Sequence, residues 1–167
     1  LTSFTHQFQD ELAAEVLVRG AARAFGTCAG IIRPFSLYGE ELRKQLIWDI
    51  CQKLRQQPEA LTLGGSGEEL RDFVHVADAA AFFLNVFERL PDGSNGTDGE
   101  VITVNCGTGT ARSIRQIAGT VCKAWSLAAA PQFSGSERAG DPVHLVADAS
   151  TARGLGFTAE VNFEEGI

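Results

Sequence analysis

The stretch Leu61-Thr-Leu-Gly-Gly-Ser-Gly-Glu-Glu-Leu-Arg-Asp-Phe-Val-His-Val-Ala-Asp78 decides the fold. Its two short apolar runs lie on either side of the glycines of residues 64–67, a pattern that predicts a hairpin with a tight turn. Asp78 precedes the apolar run 79–87 and is predicted to cap a helix there. Arg71 would then lie at a structured edge, where a guanidinium suits a phosphate group.

Outward from this stretch, amphipathic segments alternate with short apolar ones. The apolar spacing predicts helices over 9–25, 42–54 and 113–125, and strands over 28–32 and 101–104. Gly26 is expected to end the first helix, and Ser113 to cap the third. A helix, a glycine turn and a buried strand form half of a β-α-β unit, so we predict an α/β fold with a parallel sheet.

Composition bounds the function classes. With 167 residues, of which 44% are hydrophobic, the chain can bury one sizeable core. Its net charge of −7 argues against a nucleic-acid surface but leaves room for a small anionic ligand held by one or two arginines. The four cysteines lack zinc-site spacing and are predicted to be free, buried thiols of a cytoplasmic protein. No apolar run reaches the length of a membrane span.

Both ends of the sequence read as cuts in a longer protein. The chain contains no methionine and opens at Leu1. It stops at Phe163-Glu-Glu-Gly-Ile167, where a further helix is predicted to begin. We therefore expect a piece of a larger polypeptide.

Ordered segments along the chain resemble the extended short-chain dehydrogenase/reductase family, which comprises NAD-dependent nucleotide-sugar epimerases, dehydratases and reductases such as UDP-glucose 4-epimerase. The similar segments are Leu12-Ala-Ala-Glu15, Ile31-Ile-Arg-Pro-Phe-Ser-Leu-Tyr-Gly39, Arg71-Asp-Phe-Val-His-Val-Ala-Asp78, Asn105-Cys-Gly-Thr-Gly109, Arg138-Ala-Gly-Asp141 and residues 146–157. The resemblance implies the carboxyl-terminal part of a Rossmann-type parallel sheet, over about 1–36 and 68–125. A small α/β substrate-binding lobe would be interleaved with it, over about 37–67 and 126–167.

The resemblance also implies a nucleotide-diphosphate sugar as ligand. Arg71 and Arg138 would fork onto the diphosphate from two separate loops, which a single cation cannot do with the same geometry. Ser36 replaces an asparagine that contacts the nucleotide sugar in the family, and Asp141 would orient the ligand. Pro34 is assigned a contact with the cofactor, NAD(P). The resemblance leaves a homodimer open and implies no metal ligand.

The catalytic positions of the family are occupied by unsuitable residues. Its Tyr-x-x-x-Lys motif aligns with Gln7 and Glu11, and neither side chain can perform the proton transfer. The glycine turn 105–109 is followed by Arg112 where a dinucleotide fingerprint needs glycine or alanine, so we interpret it as a structural turn. Catalysis by this chain alone is not expected. Two functions stay open: the nucleotide-sugar-binding portion of an enzyme, or a non-catalytic homologue with a binding or assembly role.

Overall fold

The structure is a computed structural model that describes residues 3–91, 99–127, 129–136 and 142–167, without the side chains of residues 3–9. Within these residues the helices are α1 (Ser3–Phe25), α2 (Gln45–Gln56), α3 (Val76–Glu88), α4 (Ile114–Ala124) and α5 (Ser150–Gly154). The strands are β1 (Ala29–Pro34), β2 (Ser36–Tyr38), β3 (Thr62–Leu63), β4 (Leu70–Arg71), β5 (Phe73–His75), β6 (Val101–Cys106), β7 (Arg112–Ser113), β8 (Gln132–Phe133) and β9 (His144–Leu145). This alternation of helices and strands confirms the predicted α/β class.

Parallel pairing dominates the strand ladders. β1 runs parallel to β6 over their whole length, from Ala29 opposite Val101 to Pro34 opposite Cys106. β2 runs parallel to β5, and β3 runs parallel to β8. β4 lies between β7, its antiparallel neighbour, and β9, its parallel neighbour. Most strands therefore pair as the predicted parallel sheet requires.

The apolar interior falls into packed clusters on either side of the strands. One cluster joins α3 and α5 to β5 and β6; its buried members include Val74, Phe82, Val86, Val104, Ala152 and Phe157. A second joins α2 to α4 and to the segment around β3; its buried members include Ile50, Leu54, Leu61, Leu63, Ala118 and Val121. Because α2 packs closely against α4 in this cluster, the position of α2 is fixed, including that of its opposite face.

The predicted hairpin over residues 61–78 is wrong. Its two apolar runs form β3 and β5, which belong to different ladders and do not pair with each other. The glycine turn between them is closed by Glu69 instead, whose carboxylate accepts hydrogen bonds from the backbone N–H groups of Ser66 (2.8 Å) and Gly67 (2.9 Å). Because a side chain satisfies the turn, the strands on either side are free to diverge.

The predicted cap of α3 is also wrong. The helix begins at Val76, and its N-cap is His75, whose Nδ1 accepts a hydrogen bond from the N–H of Ala77 at 3.3 Å. Asp78 lies inside the first turn and is 7% exposed. Its carboxylate accepts from the N–H of Val161 at 3.1 Å. The acidic side chain therefore anchors the carboxyl-terminal segment to α3 rather than starting the helix.

The remaining element predictions differ in detail. Ser113 caps α4 as predicted, in a capping box where its hydroxyl accepts from the N–H of Gln116 and the Gln116 side chain accepts in return. α2 begins three residues later than predicted, at Gln45 with a φ of 69°, after a loop in which Glu41 has a φ of 67°. Residues 163–165 form a turn rather than the start of a helix.

Cys51, Cys106 and Cys122 are free thiols, as predicted. Cys106 and Cys122 are buried, whereas Cys28 and Cys51 are only half-buried. Burial raises the pKa of the Cys106 thiol to about 11, and the charge of Asp72 adds to the effect. Among the helices that the structure describes, none is long and apolar enough to cross a membrane.

Candidate nucleotide-sugar cleft

A cleft of about 1010 Å³ opens between α2 and the loops around β3 and β4. Asp49 and Lys53 of α2 line one wall, and residues 64–66 of the glycine turn line the rim. Ser36 and Arg71 lie on the strand side of the same cleft. A cavity beside the strands that combines apolar walls with a few polar groups, of a volume that suits a small ligand, is a typical binding site in α/β proteins.

Two of the predicted substrate-binding residues therefore share one cavity. Ser36 begins β2, and its backbone N–H donates to the carbonyl of Asp72 at 3.0 Å, which fixes it beside the strand that follows Arg71. The Arg71 guanidinium is half-buried and donates through Nη1 to the Leu70 carbonyl at 2.8 Å. A guanidinium has five N–H donors, so most of its donors are left for a ligand.

The other predicted residues do not join this cavity in the described part of the chain. Arg138 and Asp141 lie outside the described residues, as does the side chain of Gln7. Glu11 lies on the exposed surface of α1. Pro34 ends β1, is exposed and does not line the cleft.

Asp72 is the residue whose role the sequence did not predict. It is fully buried, and its carboxylate accepts four hydrogen bonds. The donors are the N–H and hydroxyl of Thr108 (3.0 and 2.6 Å), the N–H of Gly109 (2.8 Å) and the N–H of Ala147 (3.2 Å). Side chains alternate along a strand, so Asp72 points inward where Arg71 points to the cleft. The predicted cation, Arg71, is thus followed directly by a buried anion, Asp72, whose role is structural.

The glycine turn at 105–109 is not a cradle for the NAD pyrophosphate. Such a cradle needs free backbone N–H groups, and those of Thr108 and Gly109 already donate to Asp72. A Cβ added at Gly107 would lie 2.5 Å from the Ala147 Cβ and 2.7 Å from Asp72 Oδ2. The interpretation of this segment as a structural turn therefore fits the structure, and the described residues offer no pyrophosphate site there.

Charged side chains at the rim are largely held by neighbours. The Arg115 guanidinium pairs with the Glu68 carboxylate at 2.9 Å and lies 4.5 Å from the centre of the Phe133 ring. Hydrogen bonds from the turn, chiefly from the Ser66 N–H, lower the pKa of Glu69. These acidic groups at the rim thus already have donors of their own.

On the opposite wall, Lys53 links α2 to β3. Its Nζ donates to the Thr62 carbonyl at 2.8 Å, across the end of the cleft. Asp49 lies one turn earlier on the same helix and also faces the cavity. Sequence analysis did not single out either residue, because isolated charges on an amphipathic helix are typical of a solvated face.

An aromatic cluster lies beneath the cleft. Tyr38 is 2% exposed, and its ring lies 6.0 Å from that of Phe73 and 5.0 Å from that of Phe163. Burial raises the pKa of the Tyr38 phenol. Phe73 belongs to this cluster and also lines the cavity. Tyr38 is therefore a packing residue, which holds the floor of the cleft.

A fold of mostly parallel strands with a cleft beside them is typical of α/β proteins that bind a small ligand at the edge of the sheet. The chain belongs to the NAD dependent epimerase/dehydratase family, whose family model matches residues 10–107. This confirms the resemblance stated from the sequence motifs.

Relatives of known activity cover the chain almost end to end. The chain is 26% identical to the GDP-L-fucose synthase of Escherichia coli (strain K12), over 94% of this chain and 52% of that protein. It is 28% identical to the UDP-glucose 4-epimerase of Streptomyces lividans, over 86% of this chain and 45% of that protein. The chain thus spans about half the length of the curated relatives that it matches.

Solved structures show the same relation. The chain superimposes on MoeE5 in complex with UDP-glucuronic acid and NAD with a TM-score of 0.76 and 29% identity, covering 93% of this chain and 50% of MoeE5. A crystal structure of UDP-galactose 4-epimerase gives a TM-score of 0.75 at 22% identity, covering 93% of this chain and 48% of that one. The second likeness shows the fold, and both confirm a Rossmann-type α/β architecture.

Proposed function

We propose that this chain is the nucleotide-sugar-binding portion of an NAD-dependent epimerase or dehydratase, and that its cleft holds a nucleotide-diphosphate sugar. The observation that carries the proposal is the convergence of Ser36 and Arg71 on one cavity of about 1010 Å³. MoeE5, a structural relative, was solved with UDP-glucuronic acid and with UDP-glucose. A ligand of that class would place its diphosphate beside Arg71 and a hydroxyl or phosphate oxygen beside Ser36.

The charge balance near Arg71 supports an anionic ligand. Within the described residues Arg71 pairs with no carboxylate, since the ion pairs there are those of Arg33 with Glu15 and of Arg115 with Glu68. A half-buried guanidinium without a counter-charge is costly until an anion reaches it. A diphosphate supplies that anion in the bidentate geometry that arginine prefers.

The cofactor is NAD by family, and this chain contributes little to its binding. The turn at 105–109 uses its N–H groups internally, and Pro34 offers no N–H donor. Hydride chemistry would come from NAD held mainly by residues beyond this chain. In our proposal the residues described here position the sugar nucleotide and exclude water from one side of it.

A second candidate is a non-catalytic homologue with a binding or assembly role. Gln7 and Glu11 favour it, because they occupy the positions at which the family carries its tyrosine and lysine. Turnover separates the two candidates: conversion of a UDP-, GDP- or dTDP-sugar by the native polypeptide with added NAD would eliminate the non-catalytic role. Binding without turnover would favour it.

The binding proposal is tested by calorimetric titration of the chain with UDP-glucose. Arg71→Gln should weaken binding by about tenfold or more, since a charge-assisted hydrogen bond contributes roughly 1.5–3 kcal/mol. Arg55→Gln makes the same charge change on an exposed part of α2 that does not line the cleft, and should leave the affinity unchanged. Equal affinities for wild type and Arg71→Gln would refute the assignment of this cleft.

A further inference from the structure

The pairing of β4 with β7 places two arginines directly opposite each other. Arg71 and Arg112 are partners in this antiparallel ladder. Side chains of directly opposite residues emerge on the same face, with Cβ atoms about 5 Å apart, and like charges in this position destabilise the pair. An unliganded sheet gains nothing from two guanidiniums in this register, so the arrangement points to an anion between them.

Arg112 lies close to the cavity that Arg71 lines, without lining it in the structure. Arg71 lines the cleft directly. The Arg112 guanidinium lies 4.8 Å above the centre of the Phe163 ring, and that ring is 5.7 Å from the ring of Phe73, a cleft-lining residue. Ile114, two residues after Arg112, lines the cleft as well. Arg112 is thus one aromatic ring away from the floor of the cavity.

Among the described residues, Arg112 also has no ion-pair partner. In the part of the chain that the structure describes, its guanidinium stacks on an aromatic ring and pairs with no carboxylate. Arg115, three residues later, differs because its charge is matched by Glu68. A cation–π contact is a modest interaction, which a doubly charged anion can replace.

We propose that Arg112 is a second anion-holding residue of the cleft and grips the diphosphate together with Arg71. This inference rests on the proposed nucleotide-sugar site and adds a residue to it. Rotation of the Arg112 side chain from the Phe163 ring would bring both guanidiniums onto the same diphosphate from adjacent strands. Bidentate contacts from two arginines on two strands orient the diphosphate and also neutralise its charge.

The test measures binding of inorganic pyrophosphate and of UDP-glucose to the chain by calorimetry. Arg112→Gln should weaken both ligands by a similar factor of about tenfold, because the lost contact is to phosphate. Its affinity should also depend less steeply on salt than that of wild type, since one fewer cation takes part. Arg55→Gln is the matched charge control and should bind as wild type does.

Two further variants separate charge from packing. Phe163→Leu removes the ring under Arg112 but keeps the guanidinium, so pyrophosphate affinity should stay close to wild type. Arg112→Lys keeps the charge but loses the bidentate geometry, so its pyrophosphate affinity should lie between those of wild type and Arg112→Gln. If the glutamine variant does not fold, the lysine variant should still bind more weakly than wild type. The inference would be overturned if Phe163→Leu lost as much pyrophosphate affinity as Arg112→Gln. It would also be overturned if Arg112→Lys bound pyrophosphate as tightly as wild type.

The outcome also separates this inference from the proposed function. Weaker binding in Arg71→Gln with unchanged binding in Arg112→Gln would refute the role of Arg112 and leave the cleft assignment standing. Unchanged binding in both variants, or no binding of either ligand by wild type, would refute both.

Discussion

Replacing Asp72 with asparagine should destabilise the fold severely. Asn has nearly the same shape as Asp, but one carboxylate oxygen becomes an NH₂ group, which donates rather than accepts. If the amide oxygen stays at the Oδ1 position, the bonds from Thr108 are kept. The two bonds to Oδ2, from the N–H groups of Gly109 and Ala147, are then lost. Those two N–H donors would instead face the NH₂ group of the asparagine, which is also a donor.

The magnitude follows from those two lost bonds. Hydrogen bonds to a charged group contribute roughly 1.5–3 kcal/mol each, so the loss is about 3–6 kcal/mol. Native domains are stable by only about 5–15 kcal/mol, so this one substitution removes a large share of the total. The full burial of Asp72 leaves no water to replace the lost acceptor.

Urea unfolding followed by circular dichroism measures the effect. With an m-value of about 2 kcal/mol/M, the midpoint of Asp72→Asn should fall by roughly 2 M. Asp148→Asn is the control, because Asp148 is exposed and accepts from the neighbouring N–H of Ser150, so its midpoint should move little. A shift for Asp72→Asn as small as that of the control would refute the role assigned to the buried carboxylate.

Two further predictions concern the turn at residues 105–109 and the turn at residues 64–67. Gly107→Ala should cost about 1–3 kcal/mol or more in the same unfolding assay, since the new methyl group would overlap Ala147 and the Asp72 carboxylate; full stability would contradict the close packing. The lowered pKa of Glu69 means that its stabilising effect is present above its ordinary pKa and is lost as the pH falls through the folded-state value. The stability of Glu69→Gln, measured from about pH 6 to pH 3, should therefore fall less on acidification than that of wild type.

The sequence predicted the features that depend on local periodicity. The helix at 113–125 was predicted from Ser113 as an N-cap before an amphipathic run, and the structure adds a capping box with Gln116. A parallel sheet was predicted from a helix, a glycine turn and a buried strand, and the parallel pairing of β1 with β6 agrees with it. Arg71 and Ser36 were placed in one site through motifs, and the cleft brings them together.

The sequence failed where a residue acts across a large separation. Glycines between two apolar runs predict a hairpin, but the first run, β3, pairs with β8 and the second run, β5, pairs with β2. Asp78 is a residue type that often caps helices, yet its carboxylate accepts a hydrogen bond from the N–H of Val161, 83 residues away. Arg112 carried no signal as a ligand residue, because its position opposite Arg71 depends on strand register.

The adjacency of Arg71 and Asp72 also links the core to the site. Asp72 ties the turn at 108–109 and the backbone at Ala147 to the strand segment that carries Arg71. It does not line the cleft.

If these bonds fix the direction of Arg71, Asp72→Asn should weaken UDP-glucose binding under conditions where the variant is still folded. Because the damage would be to the position of Arg71, adding Arg71→Gln to Asp72→Asn should cost less affinity than Arg71→Gln costs in wild type. Fully additive losses would show that the buried carboxylate stabilises the fold without orienting the guanidinium.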